Sequence, residues 1–518
     1  GRADSISAVP TTRTATLAPT SPLPYTGHMP RHRIRHFWRC HPDATIVAVL
    51  LVVGTLIRLA FLFRAPVFYV GGDSQTYLLP AYELAHEQNW DLGNRRPPLY
   101  PLFLAGVMLL SGEETRAISF VQHLLGLATV AATYALGRSA ANRALGTVAG
   151  LSVALSGPLL VYEHYVMSEA LFTLLATLTA LACLRFRNDT RVAMAVVCGI
   201  LVGLGWITRP AGLLLLSMVP LALLGQVSAR KFLGLSLATM GGLAIIAVPW
   251  LVVLVTLHGS PTVIGVGNNL MWRVTRNEVP LIGPRDAIQP RDSDTLTAAK
   301  RYALGQAIRK ELPDDIADGL ERRFGLSELQ SDRLLAEVAL DIIATKPLLY
   351  LRTTGEMTAD LFAGTEQYLG GQGKEGGVDR FSNPQEKYES WWNPKIRHIP
   401  QPPLSSEAAE FSRARAIVGL LQPFHLATPL ALLGVVGVLS GLASRRYRSG
   451  LILAIAIASG LVGAAALSGS TPRFRYPYDP MIWTLAGLGG VAIFDFIRGI
   501  ASYRTSWHSP ASEDLPAT

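Results

Sequence analysis

Carboxylates and arginines stand at the ends of several apolar segments of this sequence, where side chains of these types could do chemistry. Asp73 follows two glycines in GGDSQTY, and Glu169 lies in YEHYVMSEALF. Arg209 separates two apolar runs in WITRPAGLL, and Arg473 precedes the last apolar run in STPRFRYPYDPMIW. A carboxylate can accept a proton from a reacting hydroxyl group, and an arginine binds phosphate with its planar fork of N–H donors. These residue types therefore indicate an anionic ligand and acid–base chemistry.

Each of these residues also has an ordinary structural interpretation. A carboxylate at the position of Asp73 is a good helix N-cap. Glu169 would be favoured in the first turn of a helix by the helix dipole. Arg209 could extend to the membrane surface without binding a ligand, and His164 could be an interfacial aromatic residue. The sequence leaves these alternatives open.

The composition is that of a membrane protein. Of the 518 residues 50% are hydrophobic and only 16% are charged, whereas a soluble domain has about 25% charged residues. The net charge of +9 does not indicate a nucleic-acid partner, because the basic residues lie in short clusters between apolar runs. The three cysteines lie in or beside apolar segments, and no metal-ligand spacing is present.

The apolar segments predict an all-α, polytopic membrane protein with about 10–11 transmembrane helices. A span needs about 20 apolar residues. Ten segments fit this length, near 44–63, 117–136, 144–161, 168–186, 193–208, 210–226, 232–257, 424–443, 449–468 and 477–497. An eleventh run, 98–111, is short, so we expect it to lie along the membrane surface or to re-enter the membrane.

The basic clusters predict the orientation, because cytoplasmic loops are enriched in Lys and Arg. The basic run MPRHRIRHFWR before the first span predicts a cytoplasmic N-terminus and an uncleaved anchor. With ten crossings, all later basic clusters then fall inside; they are 138–143, 185–191, 230–231, 445–448 and 498–504. Asp73, Glu163, Glu169, Arg209 and Arg473 then share the outer face. An excess of arginines on that face indicates an anionic ligand, for which a lipid phosphate is the natural candidate.

Several segments, in this order along the chain, resemble the GT-C membrane glycosyltransferases: GGDSQTY, RRPPLYPLFLAGV, ALGRSAANRALGTVAGL, MSEALF, GLGWITRPAGLLL and AVPWLVVL. They resemble the protein O-mannosyltransferase and aminoarabinose transferase branch, and most of all its RgtA/B/C/D-like bacterial members. The resemblance covers roughly residues 40–260, with a weaker echo in TPRFRYPYDP. The order and spacing of the segments carry it, since each segment alone is weakly specific.

The resemblance implies a GT-C-like division of the chain. We expect a disordered cytoplasmic region 1–40 and a catalytic transmembrane module 41–257 with an external first loop 64–116. These are followed by an external soluble or juxtamembrane insertion, 258–423. The chain then continues with C-terminal transmembrane helices, 424–498, and a cytoplasmic tail, 499–518. In the insertion, the stretch 365–400 contains Trp391 and Trp392. That stretch is either a lid whose tryptophans stack on a sugar or an ordinary mobile loop.

The resemblance also implies the substrates and the location. The donor would be a polyprenyl-phosphate sugar, and the acceptor a hydroxyl group of a lipid, a glycan or a protein. The protein would be a multi-pass protein of a cell membrane, bacterial inner or plasma membrane, with its active site facing outside. No nucleic acid is expected as a partner. No cofactor is certain, and a divalent cation is left open.

The resemblance assigns roles to individual residues. Asp73 corresponds to the presumed catalytic base of the family and Glu169 to an acidic residue of the second outer loop. The candidates for binding the lipid phosphate or the sugar are Arg96, Arg209, Arg473, Tyr77, Glu163 and His164. Two departures from the family pattern concern the acceptor: Ser74 stands where many relatives have a second acidic residue, and Arg96 where they often have lysine.

The residues are consistent with a single-step inverting transfer. A phosphate is a good leaving group, so the reaction needs a base for the acceptor hydroxyl and cations for the departing phosphate. It does not need the paired acid and base of a glycosidase. Two other classes stay open: a transporter or flippase of lipid-linked sugars, and a non-catalytic binding subunit.

Overall fold

The computed structural model describes residues 41–64, 73–93, 95–112, 115–275, 295–363, 393–396, 399, 427–469 and 472–507. Within these ranges the regular structure consists of helices and contains no strand. The chain has two compact units, residues 1–45 and 46–518, and the described residues belong to the second except for 41–45. The predicted all-α fold is therefore confirmed. The predicted disordered region 1–40 lies outside the described residues.

The described residues up to 258 form ten α-helices. They are α1 Pro42–Arg64, α2 Gln75–Glu87, α3 Leu99–Ser111, α4 Thr115–Ala140, α5 Arg143–Ala154, α6 Gly157–Tyr162, α7 Glu169–Asn188, α8 Val192–Trp206, α9 Met218–Leu223 and α10 Ala229–His258. A 3₁₀ helix, Pro210–Ser217, precedes α9. The chain therefore breaks between α8 and this 3₁₀ helix, because Pro210 suits a helix start and Arg209 stays in an extended conformation.

The described residues after 258 form two groups, of five and of three α-helices. The first group comprises α11 Val266–Thr275, α12 Thr295–Ile308, α13 Pro313–Phe324, α14 Glu328–Thr345 and α15 Pro347–Ala363. The second comprises α16 Ala427–Ala443, α17 Ser449–Leu467 and α18 Asp479–Trp507. Short 3₁₀ turns at Pro472–Phe474 and Tyr476–Tyr478 lead into α18.

Six of the described helices are long and apolar enough to cross a membrane. They begin at Pro42, Arg116, Glu169, Ala229, Ser449 and Tyr476. The five shorter apolar helices include Leu99–Ser111, the run that the sequence predicts to be too short for a span. Each of the ten predicted segments coincides with helical structure, so the polytopic architecture is confirmed.

The helices α11 to α14 enclose a core of their own. Leu270, Ala303, Leu320 and Leu335 are among its buried residues. A buried arginine connects this helical unit to the membrane helices: Arg273 donates to the carbonyl oxygen of Ala465 at 2.8 Å and to Thr353 Oγ1 at 2.8 Å. Residues 334–362 are helical within α14 and α15. The stretch with Trp391 and Trp392 lies outside the described residues.

Helices α8 and α10 approach each other closely at glycines. A Cβ added to Gly199 would lie 2.0 Å from the carbonyl oxygen of Thr239, and one added to Gly242 would lie 2.3 Å from that of Val196. Small residues at such crossings let two backbones approach and pack without a gap. The pair therefore depends on glycine at these positions.

Gly242→Ala should lower the thermal stability of the purified protein, because the new methyl group overlaps the Val196 carbonyl group and separates the two helices. The expected cost is about 1–3 kcal/mol, as for other overpacked sites. Gly241→Ala is the matched control, since a Cβ there meets nothing within 4 Å. That control should be neutral or slightly stabilising, because alanine has the higher helix propensity. Equal melting temperatures for the two variants would contradict the packing described here.

Candidate functional site

The predicted site residues come from five separate parts of the chain. Asp73 and Tyr77 lie at the start of α2, and Arg96 lies in the turn before α3. Glu169 is the first residue of α7. Two arginines complete the set, Arg209 at the break before the 3₁₀ helix and Arg473 in the turn Pro472–Phe474. All these positions are helix ends, where the chain can present a side chain without interrupting a helix.

Two arginines hold the carboxylate of Asp73. Arg96 Nη2 donates to Oδ1 at 2.8 Å, and Arg473 Nη2 donates to Oδ2 at 3.0 Å. The N-cap residue of α2 is Ser74, and Asp73 contributes to this turn through its backbone carbonyl, which accepts from Thr76 Oγ1 at 2.6 Å and from Thr76 N at 3.1 Å. The Asp73 side chain therefore serves the arginine pair and not the helix cap.

Glu169 and Arg209 form a second ion pair beside the first. Arg209 Nη1 lies 2.6 Å from Glu169 Oε1, and the Glu169 side chain is only 2% exposed. The guanidinium group of Arg209 also lies 5.7 Å from the centre of the Phe474 ring. Arg209 thus turns into the protein instead of extending to the membrane surface. In the described part of the chain, Glu169 Oε2 is buried and has no hydrogen-bond partner.

The two ion pairs share one electrostatic environment. Burial alone would raise the pKa of Asp73, but the charges of Arg473 and Arg96 and the hydrogen bond from Arg473 lower it to about 2. Burial lowers the pKa of Arg473, and the charges of Asp73 and Glu169 outweigh this and raise it above its ordinary value. Three arginines and two carboxylates meet here, so the cluster carries a formal charge of +1.

Tyr77 joins the two sides of this arrangement. Its hydroxyl group lies 3.3 Å from Ser168 Oγ, one residue before Glu169. Its ring lies beneath the guanidinium group of Arg96, with 5.1 Å from the guanidinium carbon to the ring centre. A cation above a tyrosine ring is attracted by the electrons of the ring face. Tyr77 therefore helps to fix Arg96 next to Asp73.

We refer to Asp73, Arg96, Glu169, Arg209 and Arg473, with Tyr77, as the arginine site. The site is open to solvent at Asp73 and at its two arginine partners. Their side chains are 31% exposed for Asp73, 29% for Arg96 and 25% for Arg473. Arg473 Nε is buried and makes no hydrogen bond to any described residue. Among the described residues, the arginine site thus contains a buried donor without a partner, Arg473 Nε, and a buried acceptor without a partner, Glu169 Oε2.

Glu163 and His164, the other two predicted substrate-binding residues, lie in a separate buried cluster. Arg58 donates to Glu163 through Nε at 2.8 Å and through Nη2 at 2.5 Å. His123 Nδ1 lies 2.8 Å from Glu163 Oε2, and His123 Nε2 lies 3.3 Å from His164 Nδ1. The structure does not bring these residues into the arginine site, and their contact with substrate stays a prediction.

The sequence reasoning missed Arg58 and His123. Arg58 lies inside the first apolar segment, in GTLIRLAFLF, and a charge in a span is a signal of function or of a buried partner. His123 lies in the next span, in FVQHLLGLA. These two signals were available in the sequence. What pairs them is the fold, because their partner Glu163 is 105 residues from Arg58.

The described side chains of the site offer no set of three ligands for a divalent cation, and the cation left open by the sequence stays a prediction. In the described part of the chain, no group of three or more His, Cys, Asp or Glu residues could hold a metal ion. Both oxygens of Asp73 and one oxygen of Glu169 are already paired with guanidinium groups. We therefore derive no step through a cation.

Comparison of sequences finds a family model that matches part of the membrane module. Residues 95–255 match the family model described as dolichyl-phosphate-mannose-protein mannosyltransferase. The chain is similar to the GT-C glycosyltransferases. The matched segment includes Arg96, Glu169 and Arg209, whereas Asp73 and Arg473 lie outside it. The predicted resemblance to the O-mannosyltransferase branch of the GT-C proteins is confirmed, while the likeness to RgtA/B/C/D-like members stays a prediction. A search of curated proteins finds no match.

Three solved GT-C structures resemble the chain at low sequence identity. The archaeal oligosaccharyltransferase AglB from Archaeoglobus fulgidus shares 13% identity over 93% of this chain and 53% of its own, with a TM-score of 0.45. ArnT from Cupriavidus metallidurans, bound to undecaprenyl phosphate, shares 14% sequence identity over 86% of this chain and 76% of its own, with a TM-score of 0.38. The S. cerevisiae protein O-mannosyltransferase Pmt1-Pmt2 complex shares 16% sequence identity over 46% of this chain and 37% of its own, with a TM-score of 0.35. The chain spans about half the length of the archaeal protein.

Proposed function

We propose that the protein transfers a sugar from a polyprenyl-phosphate donor to a hydroxyl acceptor, with inversion, at the outer face of a cell membrane. The observation that carries the proposal is the arginine site, where two arginines hold the partly exposed carboxylate of Asp73 and a third arginine pairs with the buried Glu169 beside it. The family match over residues 95–255 supports a lipid-linked donor. The one-sided basic loops of the sequence support the outer face.

The charge of the site matches the charge of such a donor. A sugar linked to a lipid through one phosphate is a phosphodiester with a single negative charge, and the site has an excess of one positive charge. When the bond to the sugar breaks, the lipid phosphate gains a second negative charge. Arginines that are fixed in advance bind this developing charge more strongly than the charge of the intact donor, which is how a charged site accelerates a reaction.

Arg473 is the residue best placed to bind the phosphate. It already donates to Asp73 through Nη2, and its Nε has no partner among the described residues. A buried donor without a partner costs free energy, and a phosphate oxygen would supply the missing bond. Arg209 and Arg96 would bind the remaining phosphate oxygens.

Asp73 would act as the base once a phosphate competes for its arginines. In the ligand-free structure both carboxylate oxygens are occupied by guanidinium groups. A bound phosphate shares these cations and adds a negative charge nearby, and both effects raise the pKa of the carboxyl group. The acceptor oxygen then attacks the anomeric carbon, its proton passes to Asp73, and the bond between that carbon and the phosphate oxygen breaks. The proton afterwards leaves with solvent or with the phosphate.

Glu169 would orient a hydroxyl group of the sugar or the acceptor. Its Oε1 holds Arg209, and its Oε2 is a buried acceptor that lacks a described partner. A hydroxyl donor is the neutral group that satisfies such an oxygen. Glu169 therefore has one oxygen for the phosphate arginine and one for substrate.

Turnover of a radiolabelled donor tests the proposal. The purified full chain, in detergent, would be given a set of polyprenyl-phosphate sugars, and both the released polyprenyl phosphate and the labelled product would be measured. We expect release of at least one sugar and its appearance on a hydroxyl compound. A transporter or a binding subunit would leave every donor intact, and this result would overturn the proposal.

The pH dependence of turnover should differ between the free and the donor-bound protein. The pKa of Asp73 is about 2 without ligand, below its ordinary 3.8. The Asp73 carboxyl group of the free enzyme is therefore fully ionised above about pH 4. Because kcat/KM for the donor reports the free enzyme, it should show no fall due to Asp73 above this pH. The acid limb of kcat should lie at higher pH, because bound phosphate raises the pKa. Coincident limbs in both profiles would argue against the exchange of arginine partners.

The same pKa sets the contribution of the Asp73 ion pairs to stability. Because the pKa is lower in the folded protein, these pairs stabilise the fold above the ordinary value of about 3.8. Their contribution is lost as the pH falls towards about 2. At neutral pH they are therefore fully formed.

A further inference from the structure

We infer that the buried cluster of Arg58, His123 and Glu163 is a positioning unit for Glu169, and so for the arginine site. The inference rests on the proposed function and adds residues to it that do not touch substrate. It is carried by three features: complete burial of the cluster, space made for it by a glycine, and a small cavity shared with Glu169.

The cluster is built at a considerable energetic cost. The side chains of Arg58, His123 and Glu163 are 3–4% exposed, so the charges of Arg58 and Glu163 are removed from water. A buried ion pair is no more stabilising than apolar residues of the same size, because the desolvation of both charges offsets their attraction. Stability alone therefore does not explain the cluster, and its fixed geometry points to a role in positioning.

Gly126 on α4 leaves the space that Glu163 occupies. A Cβ at residue 126 would lie 2.0 Å from Glu163 Oε1 and 2.1 Å from its carboxyl carbon. The carboxylate of Glu163 therefore rests against the helix backbone, and no other residue type fits at residue 126 without moving it. The position of Glu163 is fixed from one side by Gly126 and from the other by Arg58 and His123.

The loop from Glu163 to Glu169 transmits this position. Gln122 Nε2 donates to the carbonyl oxygens of Glu163 at 3.1 Å and of Tyr165 at 2.8 Å, so the loop backbone is held at two points. Ser168 at its end contacts Tyr77, and Glu169 follows directly. Six residues thus connect the buried cluster to the carboxylate that holds Arg209.

A cavity of about 10 Å³ is lined by both Glu163 and Glu169 and provides a second connection. Glu163, Glu169 and Gly126 line it together with Thr129, Thr173 and others. This volume is close to that needed for a single water molecule. A displacement of Glu163 would therefore change the surroundings of Glu169 directly as well as through the loop.

The test is a double-mutant cycle between Gly126→Ala and Glu169→Gln in the full chain. Gly126→Ala should lower kcat by about 10- to 100-fold, since a small displacement of a catalytic arrangement has effects of this size. In the Glu169→Gln background the same change should cost less than about twofold, because residues that act through one another are not additive. Gly137→Ala is the matched control on the same helix: its Cβ would lie 2.8 Å from the Gly146 backbone, away from the cluster.

The outcomes separate positioning from simple stability. The inference is wrong if Gly126→Ala lowers kcat by the same factor in both backgrounds. It is also wrong if Gly137→Ala lowers the melting temperature and kcat as much as Gly126→Ala does, because the loss of kcat would then reflect lost stability. If Gly126→Ala does not fold, Glu163→Gln replaces it, because glutamine keeps the volume and removes the charge. If the wild-type protein binds a long-chain polyprenyl phosphate without turnover, the proposed function fails. The same double-mutant cycle, with the affinity for that lipid measured in place of kcat, then decides the inference, because Glu169 holds the lipid-binding residue Arg209.

Discussion

Asp73→Asn should lower turnover by about 10²- to 10⁴-fold, the range expected when a general base is removed. Asparagine keeps the size of the side chain and still accepts one hydrogen bond, but it cannot take the proton of the acceptor. The binding of polyprenyl phosphate should not weaken, because the change removes a negative charge beside Arg96 and Arg473. The measurement is single-turnover transfer together with lipid binding by the purified variant.

Asp91→Asn is the matched control for this prediction. Asp91 lies in the same loop region and pairs with His258 at 2.9 Å, outside the arginine site. Its replacement should leave turnover within about twofold, as for most surface substitutions. If Asp73→Asn keeps more than about a third of the wild-type rate while chemistry is rate-limiting, Asp73 is not the base. Glu169 would then be the next residue to test.

Arg473→Gln should weaken the binding of polyprenyl phosphate by about 10- to 150-fold. This corresponds to about 1.5–3 kcal/mol, the contribution of a hydrogen bond to a charged group. The change removes the unused Nε donor and one of the two cations that hold Asp73. It should also raise the pKa of Asp73, so that an acid limb appears at higher pH in kcat/KM. Arg473→Lys should recover only part of the affinity, because lysine lacks the forked geometry.

Arg475→Lys, two residues further on, distinguishes a local effect from a general loss of structure. Arg475 pairs with Asp479 at 3.1 Å and donates to the carbonyl oxygen of Phe362 at 2.8 Å. Lysine keeps the charge, so lipid binding should change little. Equal weakening by Arg473→Gln and Arg475→Lys would mean that the turn as a whole, and not the Arg473 guanidinium group, is required.

The helices and their polytopic arrangement could be predicted because the apolar segments are long and separated by charged turns. The break at Arg209 and Pro210 was also predictable, since proline marks a helix start. The shorter helices, such as α5 Arg143–Ala154, differ from the predicted spans in length. Serine at residue 156 ends that segment by capping α6, a local signal that hydropathy alone does not register.

The set of charged residues could be predicted, but their partners could not. The sequence indicates that Asp73, Glu169, Arg209 and Arg473 lie at helix ends, and the structure brings them into one cluster. Arg473 is 400 residues from Asp73, so no local pattern reveals their contact. The low pKa of Asp73 follows from that contact, and under the proposed function it makes Asp73 a base that donor binding would activate.

The contacts of the buried cluster cannot be predicted from the sequence alone, as Arg58, His123 and Gly126 illustrate. A single arginine in a span signals a buried partner, yet it does not say which residue that partner is. The space at Gly126 is visible only when Glu163 is placed against it. Such contacts depend on how three helices pack, and this is information that one sequence does not contain.

The most direct test compares two lipids that differ only in the phosphate. The affinity of the purified wild-type protein for a long-chain polyprenyl phosphate and for the matching polyprenol would be measured side by side, and then repeated with Arg473→Gln. We predict that the phosphate strengthens binding to the wild-type protein by at least about tenfold, and that Arg473→Gln removes most of this difference. Equal affinities of the wild-type protein for the two lipids would contradict the assignment of the arginine site to a lipid phosphate.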